Sequence, residues 1–223
     1  MTDILDVSAA QRVPLDGGAI AAAGIVAGIV RATLGRVASS RDLDGAAHAH
    51  ANAFRGASLD LSAYGLLFAR HGVAQDADEQ GRDLVRAWRE LGGTLLPAID
   101  VEREPGDQGV TEQEALDAIR MYVDAVEAEI GRPPILYCGP GWWGASRLRM
   151  GARELARCPL WTSDFEASRP VGSPLATPPW TSSALHQYAG SPTNTGRTGT
   201  CPGVSGYVDR SRLLVALDAL RVG

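Results

Sequence analysis

Leu95-Leu-Pro-Ala-Ile-Asp-Val-Glu102 is the stretch on which the reading of this chain turns. An apolar run of strand type ends in two carboxylates, Asp100 and Glu102. Side chains at i and i+2 share one face of a strand, about 6.6 Å apart by rise. Two acids at the end of a buried strand are costly to desolvate unless they are partnered or used in chemistry. The plainer reading is a turn signal, since Glu104-Pro-Gly follows at once and Asp is common at strand ends. The rest of the chain decides between the two.

Working outward, residues 4–7 and 25–32 read as Ile- and Val-rich strands with a short helix over 18–23 between them. An Ala-rich helix over 43–54 and a third strand over 59–68 follow. Residues 76–91 carry Leu84, Val85, Trp88 and Leu91 at helical spacing. The opening stretch then belongs to a fourth strand, 94–101. Over 111–130, Thr111 caps a helix, Glu114 completes its capping box and Gly131-Arg-Pro-Pro ends it. Residues 134–138 make a fifth strand. Past Met150 the rhythm changes: 160–165, 183–188 and 207–209 read as strands joined by Gly-, Pro- and Ser-rich loops, and 210–220 as a closing helix.

Strand–helix units at roughly 30-residue spacing imply parallel strands with right-handed crossovers. Eight strands with about five linking helices predict an α/β fold, an irregular TIM-like (β/α)5(β)3 barrel stripped of helices in its last part. No linker, repeat or low-complexity segment divides the chain, so residues 1–223 read as a single domain with no separate binding module. Catalytic groups in such barrels sit at the carboxyl ends of the strands. Asp6, Asp100, Glu102 and Asp209 all occupy that register. Closure makes strands one and eight neighbours, which should bring Asp6 close to Asp209.

Composition narrows the function. Apolar content of 45% and charged content of 21% over 223 residues are ordinary for a globular protein. A net charge of −5 argues against a nucleic-acid partner. All 21 basic residues are Arg, which excludes Schiff-base and phosphate-loop lysines. Cys138, Cys158 and Cys201 show no metal spacing and suggest a reduced interior or at most one bridge, so no metal or other cofactor is expected. The amino terminus lacks a basic region followed by an apolar one, and the longest apolar stretch, 19–30, is too short to span a bilayer. His48 and His50, two apart on a helix, read as solvent-exposed. Arg149, Arg153 and Arg157 read as a solvated helix face, with a basic stripe toward an anionic cellular surface, membrane included, as the sharper alternative.

In order along the chain, Asp6-Val-Ser with Gln11, Arg31-Ala-Thr-x-Gly35 with Asp42 behind it, Tyr64-Gly65, Pro97-Ala-Ile-Asp-Val-Glu102, Pro134-Ile-Leu-Tyr137 before Gly-Pro-Gly-Trp-Trp, Trp161, His186-Gln-Tyr188 and Gly206-Tyr-Val-Asp209 form one pattern. That pattern resembles the lysozyme-type muramidases of glycoside hydrolase family 25 nearly end to end. Departures are Ala9-Ala10 in place of the family's His-Trp, Leu34 in place of an acid, and no His after Tyr64. All four acids remain.

The resemblance implies cleavage of the β-1,4 bond between N-acetylmuramic acid and N-acetylglucosamine in the glycan strands of bacterial peptidoglycan. Its catalytic pair falls on Asp100 and Glu102, and its supporting acids on Asp6 and Asp209. Glu102 is expected to be the general acid, its pKa raised by burial and by Asp100, with Asp100 ionised as orienter of the 2-acetamido group, base or charge stabiliser. The spacing by rise lies between those of retaining and inverting pairs, which leaves both outcomes open. Tyr64, Tyr137, Trp142, Trp143, Trp161, Gln187 and Tyr188 are the candidate substrate contacts, with Trp142 or Trp143 in the groove and Trp161 in its wall.

The cellular expectation is a monomeric phage-type endolysin, made in the cytoplasm and acting on the wall after release, with no stable membrane insertion. The alternatives are a catalytically silent glycan-binding or virion structural domain and a chitinase-like N-acetylglucosaminidase.

Overall fold

A computed structural model describes residues 2–36, 43–69, 75–102, 109–139, 152–192 and 197–223. Within them eight strands close into a barrel in sequence order: β1 (Asp3–Val7), β2 (Ile25–Leu34), β3 (Asp60–Leu66), β4 (Ala98–Asp100), β5 (Ile135–Cys138), β6 (Leu160–Ser163), β7 (Leu185–Ala189) and β8 (Asp209–Leu213). Four α-helices lie in the linkers of the first half: α1 (Gly17–Ala22), α2 (Ala47–Gly56), α3 (Gln75–Leu91) and α4 (Glu112–Ile130). The β5–β6 linker contributes a 3-10 turn, Arg153–Arg157, and among the described residues no helix joins β6, β7 and β8.

Period-two alternation sorts the strand residues. Ile4, Ala27, Ile29, Ala98, Ile135 and Leu185 fill the barrel interior, while Leu5, Val30, Leu61, Ile99 and Leu136 face outward onto Phe54, Leu84, Ile119 and Tyr122 of the helices. The fit is close at Gly28, where an added Cβ would stand 2.4 Å from the Phe54 ring. α4 has the expected capping box, Thr111 and Glu114 bonding reciprocally, and ends on Gly131 at φ +78°.

Three expectations about elements are corrected. β1 to β7 are parallel, but β8 is antiparallel to both β7 and β1. Residues 210–220 are not a helix: Asp209–Leu213 is β8, and only Leu217–Leu220 makes a 3-10 turn. An open barrel would leave two unpaired edges, and pairing on both sides outweighs the helix propensity of this Leu- and Ala-rich segment. β4 is shorter than expected because the residues before Pro97 pair elsewhere: Leu96 N–H donates to Leu220 O at 2.7 Å and Val222 N–H to Thr94 O at 2.9 Å, so the C-terminal turn closes the barrel floor.

His50 is fully buried and contacts Ser8 O through Nε2 at 3.0 Å, against the expected exposure. Arg157 is tied to Asp124 and Glu127 of α4, and Arg149 lies outside the described residues. All three cysteines are free and buried. Among the described residues no helix is long and apolar enough to cross a membrane.

Candidate active site

Each of the eight strands sends one inward side chain to the same end of the barrel: Asp6, Arg31, Tyr64, Asp100, Tyr137, Trp161, Gln187 and Asp209. With Glu102, two residues past Asp100 on the same face, they line a cleft of about 490 Å³. The four acids singled out in the sequence therefore converge at one mouth. Asp209 arrives by an unexpected route. It is the first residue of β8, and the reversed direction of that strand puts its amino end at the rim where the parallel strands have their carboxyl ends. It faces Asp6 directly across the β1–β8 ladder and caps no helix.

Below the acids the floor is a hydrogen-bonded aromatic layer. Tyr137 donates its hydroxyl to Gln187 Oε1 at 2.7 Å, and Gln187 Nε2 donates to both oxygens of Asp6 at 3.2 and 3.1 Å. Trp161 Nε1 donates to Ser211 Oγ at 2.9 Å, and its ring meets Tyr137 at 4.6 Å and Tyr64 at 6.4 Å, both edge-on. Rotamers locked this way fix Asp6 and Gln187 before any ligand arrives.

Like charges directly opposed across a ladder repel, and burial adds to the cost of ionisation. Burial pushes Asp6 well above the usual carboxylate range, with the charge of Asp209 next and the Gln187 hydrogen bonds opposing. Asp209 is pushed up to about 6 by burial and then by Glu102. Asp100, 6% exposed, is pushed well up by burial, then by Glu102 and Asp6. Arg31, gripped by Asp44 at 2.7 Å, is the cation that opposes this.

The expected division of environments is thus corrected. Glu102 is exposed at the mouth, and the burial anticipated for it falls on Asp100. Arg31 favours the charged form of Asp100, against burial and the two neighbouring acids. Asp100 Oδ1 is buried and has no hydrogen-bond partner among the described residues, so an acceptor stands ready for a ligand's donor.

Of the candidate substrate contacts, Tyr64, Tyr137, Trp161 and Gln187 line the cleft. Tyr188 does not. It follows Gln187 and so faces outward, where its hydroxyl donates to Asp3 at 2.7 Å and the Arg212 guanidinium lies 5.7 Å over its ring. Trp142, Trp143 and Asp42 lie outside the described residues. Arg31, Phe165 and Tyr207 also line the cleft and had no role assigned from sequence. For Arg31 the signal was there, as the next inward position after Ala27 and Ile29. Among the described residues no group of His, Cys, Asp and Glu is arranged to hold a metal ion.

Comparison with curated protein sequences returns no match. Solved structures do match. A lysozyme from Streptomyces coelicolor is 20% identical with a TM-score of 0.79, over 98% of this chain and 94% of its own. A muramidase from Acremonium alcalophilum is 20% identical with a TM-score of 0.75, over 99% and 97%. The catalytic domain of endolysin ply40 from bacteriophage P40 of Listeria monocytogenes is 18% identical with a TM-score of 0.72, over 100% and 98%. At these identities the likeness is one of fold. The sequence pattern described as Glycosyl hydrolases family 25 matches residues 5–197, a span that takes in Asp6, Asp100 and Glu102. By that match the chain belongs to glycosyl hydrolase family 25, and it is a glycoside hydrolase.

Proposed function

We propose that this glycoside hydrolase is a muramidase that cleaves the β-1,4 bond between N-acetylmuramic acid and N-acetylglucosamine of bacterial peptidoglycan. The observation that carries the reading is the meeting of Asp6, Asp100, Glu102 and Asp209 in one aromatic-floored cleft. Glycosidic cleavage needs a proton for the leaving oxygen and a group to meet the developing oxocarbenium ion.

Glu102, exposed at the mouth, is the general acid: it gives its proton to the glycosidic oxygen as the bond from that oxygen to the anomeric carbon breaks. Asp100 lies deeper. Its unpartnered Oδ1 accepts the N–H of the 2-acetamido group, which turns the acetamido carbonyl oxygen toward the anomeric carbon to bond there. Water then opens that ring, its proton returning to Glu102, and the configuration is retained. Asp209, across the ladder from Asp6, carries negative charge above about pH 6 and so stabilises the cation that develops. Gln187 fixes the Asp6 carboxylate in place.

The test is release of reducing sugar from purified peptidoglycan. Glu102→Gln should lower the rate by about 10²–10⁴-fold, and equal rates for the two proteins would sink the assignment. Mass spectrometry of the new reducing ends should find N-acetylmuramic acid. N-Acetylglucosamine there would mark a glucosaminidase, and binding without release a silent glycan-binding domain. For the cellular setting we propose a monomeric endolysin, made in the cytoplasm and reaching the wall through a membrane lesion. Cytoplasmic expression should then lyse cells only once the membrane is permeabilised.

A further inference from the structure

The rim of the cleft carries a ring with no role so far. Tyr207, two residues before Asp209, lines the cleft and is 49% exposed. The aromatic floor beneath is closed off by comparison, with Tyr137 at 7% and Trp161 at 2% exposure. Val13, Leu34 and Leu175 are as exposed as Tyr207, but Tyr207 alone of these four lines the cleft.

The backbone under Tyr207 is held. Gln11 Nε2 donates to Tyr207 O at 3.1 Å. Gln11 is itself pinned by Ser8, whose N–H donates to Gln11 Oε1 at 2.8 Å and whose carbonyl accepts the Gln11 N–H at 3.0 Å. The turn leaving β1 therefore braces the loop entering β8, and these are the two strands that deliver Asp6 and Asp209. Backbone held in this way leaves only the two side-chain torsions of Tyr207 to be ordered on binding. Ser8 and Ser191 add hydroxyl groups to the lining of the same cleft, a chemistry suited to sugar hydroxyls.

We propose that Tyr207 is a sugar-stacking subsite, taking the apolar face of an N-acetylhexosamine unit of the glycan strand adjacent to the bond that is cut, and that Gln11 positions it. The inference rests on the glycan-cleaving function proposed above. Because Gln11 bonds the Tyr207 carbonyl, changing the ring leaves the brace intact.

Binding is measured calorimetrically to peptide-free peptidoglycan glycan strands, with Glu102→Gln as the parent so that nothing is consumed. Adding Tyr207→Ala should weaken binding about tenfold, while Tyr207→Trp holds it near the parent value. Gln11→Leu should weaken binding about threefold, and in the otherwise native enzyme the loss should fall on KM rather than kcat. Unchanged binding in Tyr207→Ala, equal weakness in Tyr207→Trp, or no binding by the parent overturns the subsite. Unchanged binding in Gln11→Leu overturns the positioning role. Failure of the muramidase reading looks different: binding that depends on Tyr207, with no reducing sugar released by the native enzyme.

Discussion

Asp209→Asn should make the protein more stable, and only at high enough pH. In the folded protein Asp209 keeps its proton up to about pH 6, against 3.8 for an ordinary aspartate. Between those values the folded state binds more protons than the unfolded one, so stability falls as pH rises through the window and the full cost stands above pH 6. A shift of that size corresponds to about 3 kcal/mol, a ceiling for a group that keeps some contact with water. Asparagine has the same shape and no charge to desolvate, and it also removes the carboxylate opposite Asp6. For a chain of this size each kcal/mol moves Tm by about 2–4 °C, so the variant should melt above the native protein at pH 8 by a margin of at most about 6–12 °C. Below pH 3.8 the advantage should vanish. Thermal unfolding followed by circular dichroism at pH 3.5 and pH 8 gives both numbers. The same offset at both pH values, or a variant less stable at pH 8, would refute the reasoning, because neither outcome can come from an ionisation penalty.

Other outcomes follow from the same geometry. Arg31→Gln removes the cation facing Asp100, so the acidic limb of the hydrolysis profile should move up by about one pH unit or more, with activity recovering at higher pH; an unmoved limb would separate Arg31 from Asp100. In a graded series on peptidoglycan, Glu102→Gln and Asp100→Asn should lose most activity and Asp6→Asn and Asp209→Asn less, and a most damaging Asp209→Asn would reverse the division of roles. Gly28→Ala drives a methyl into the buried Phe54 ring and should cost about 1–3 kcal/mol in denaturant unfolding, with the cleft chemistry intact.

What the sequence made legible was phase. Once residues 95–102 are read as a strand, Asp100 and Glu102 must share a face, and closure must put Asp6 beside the strand carrying Asp209. What failed was whatever tertiary pairing decides. The segment after Asp209 has local helix propensity, yet two open sheet edges claim it as a strand. Tyr188 belongs to the same His186-Gln-Tyr188 pattern as Gln187, although adjacent strand residues cannot both face inward. His50 is two residues from His48 and on another face of α2; with Ala47, Ala51 and Phe54 it lies on the buried stripe of that helix. Burial separated Asp100 from Glu102 because one ends a strand inside the barrel and the other lies beyond it. Spacing cannot report that difference.

The antiparallel β8 has a consequence in time as well as in space. Its contacts with β1, such as that between Asp3 and Arg210, close a loop of 207 residues, among the longest this chain can form. Non-local pairings of that kind form late, because the entropy of closing the loop must be overcome before the contact stabilises anything. The strand that seals the barrel is also the one that brings Asp209 opposite Asp6. A chain still emerging from the ribosome, with its early helices already packed, would hold Asp100 and Glu102 but lack a finished cleft. Recovery of hydrolysis on refolding should therefore lag behind recovery of helical signal, and the enzyme is built to switch on last.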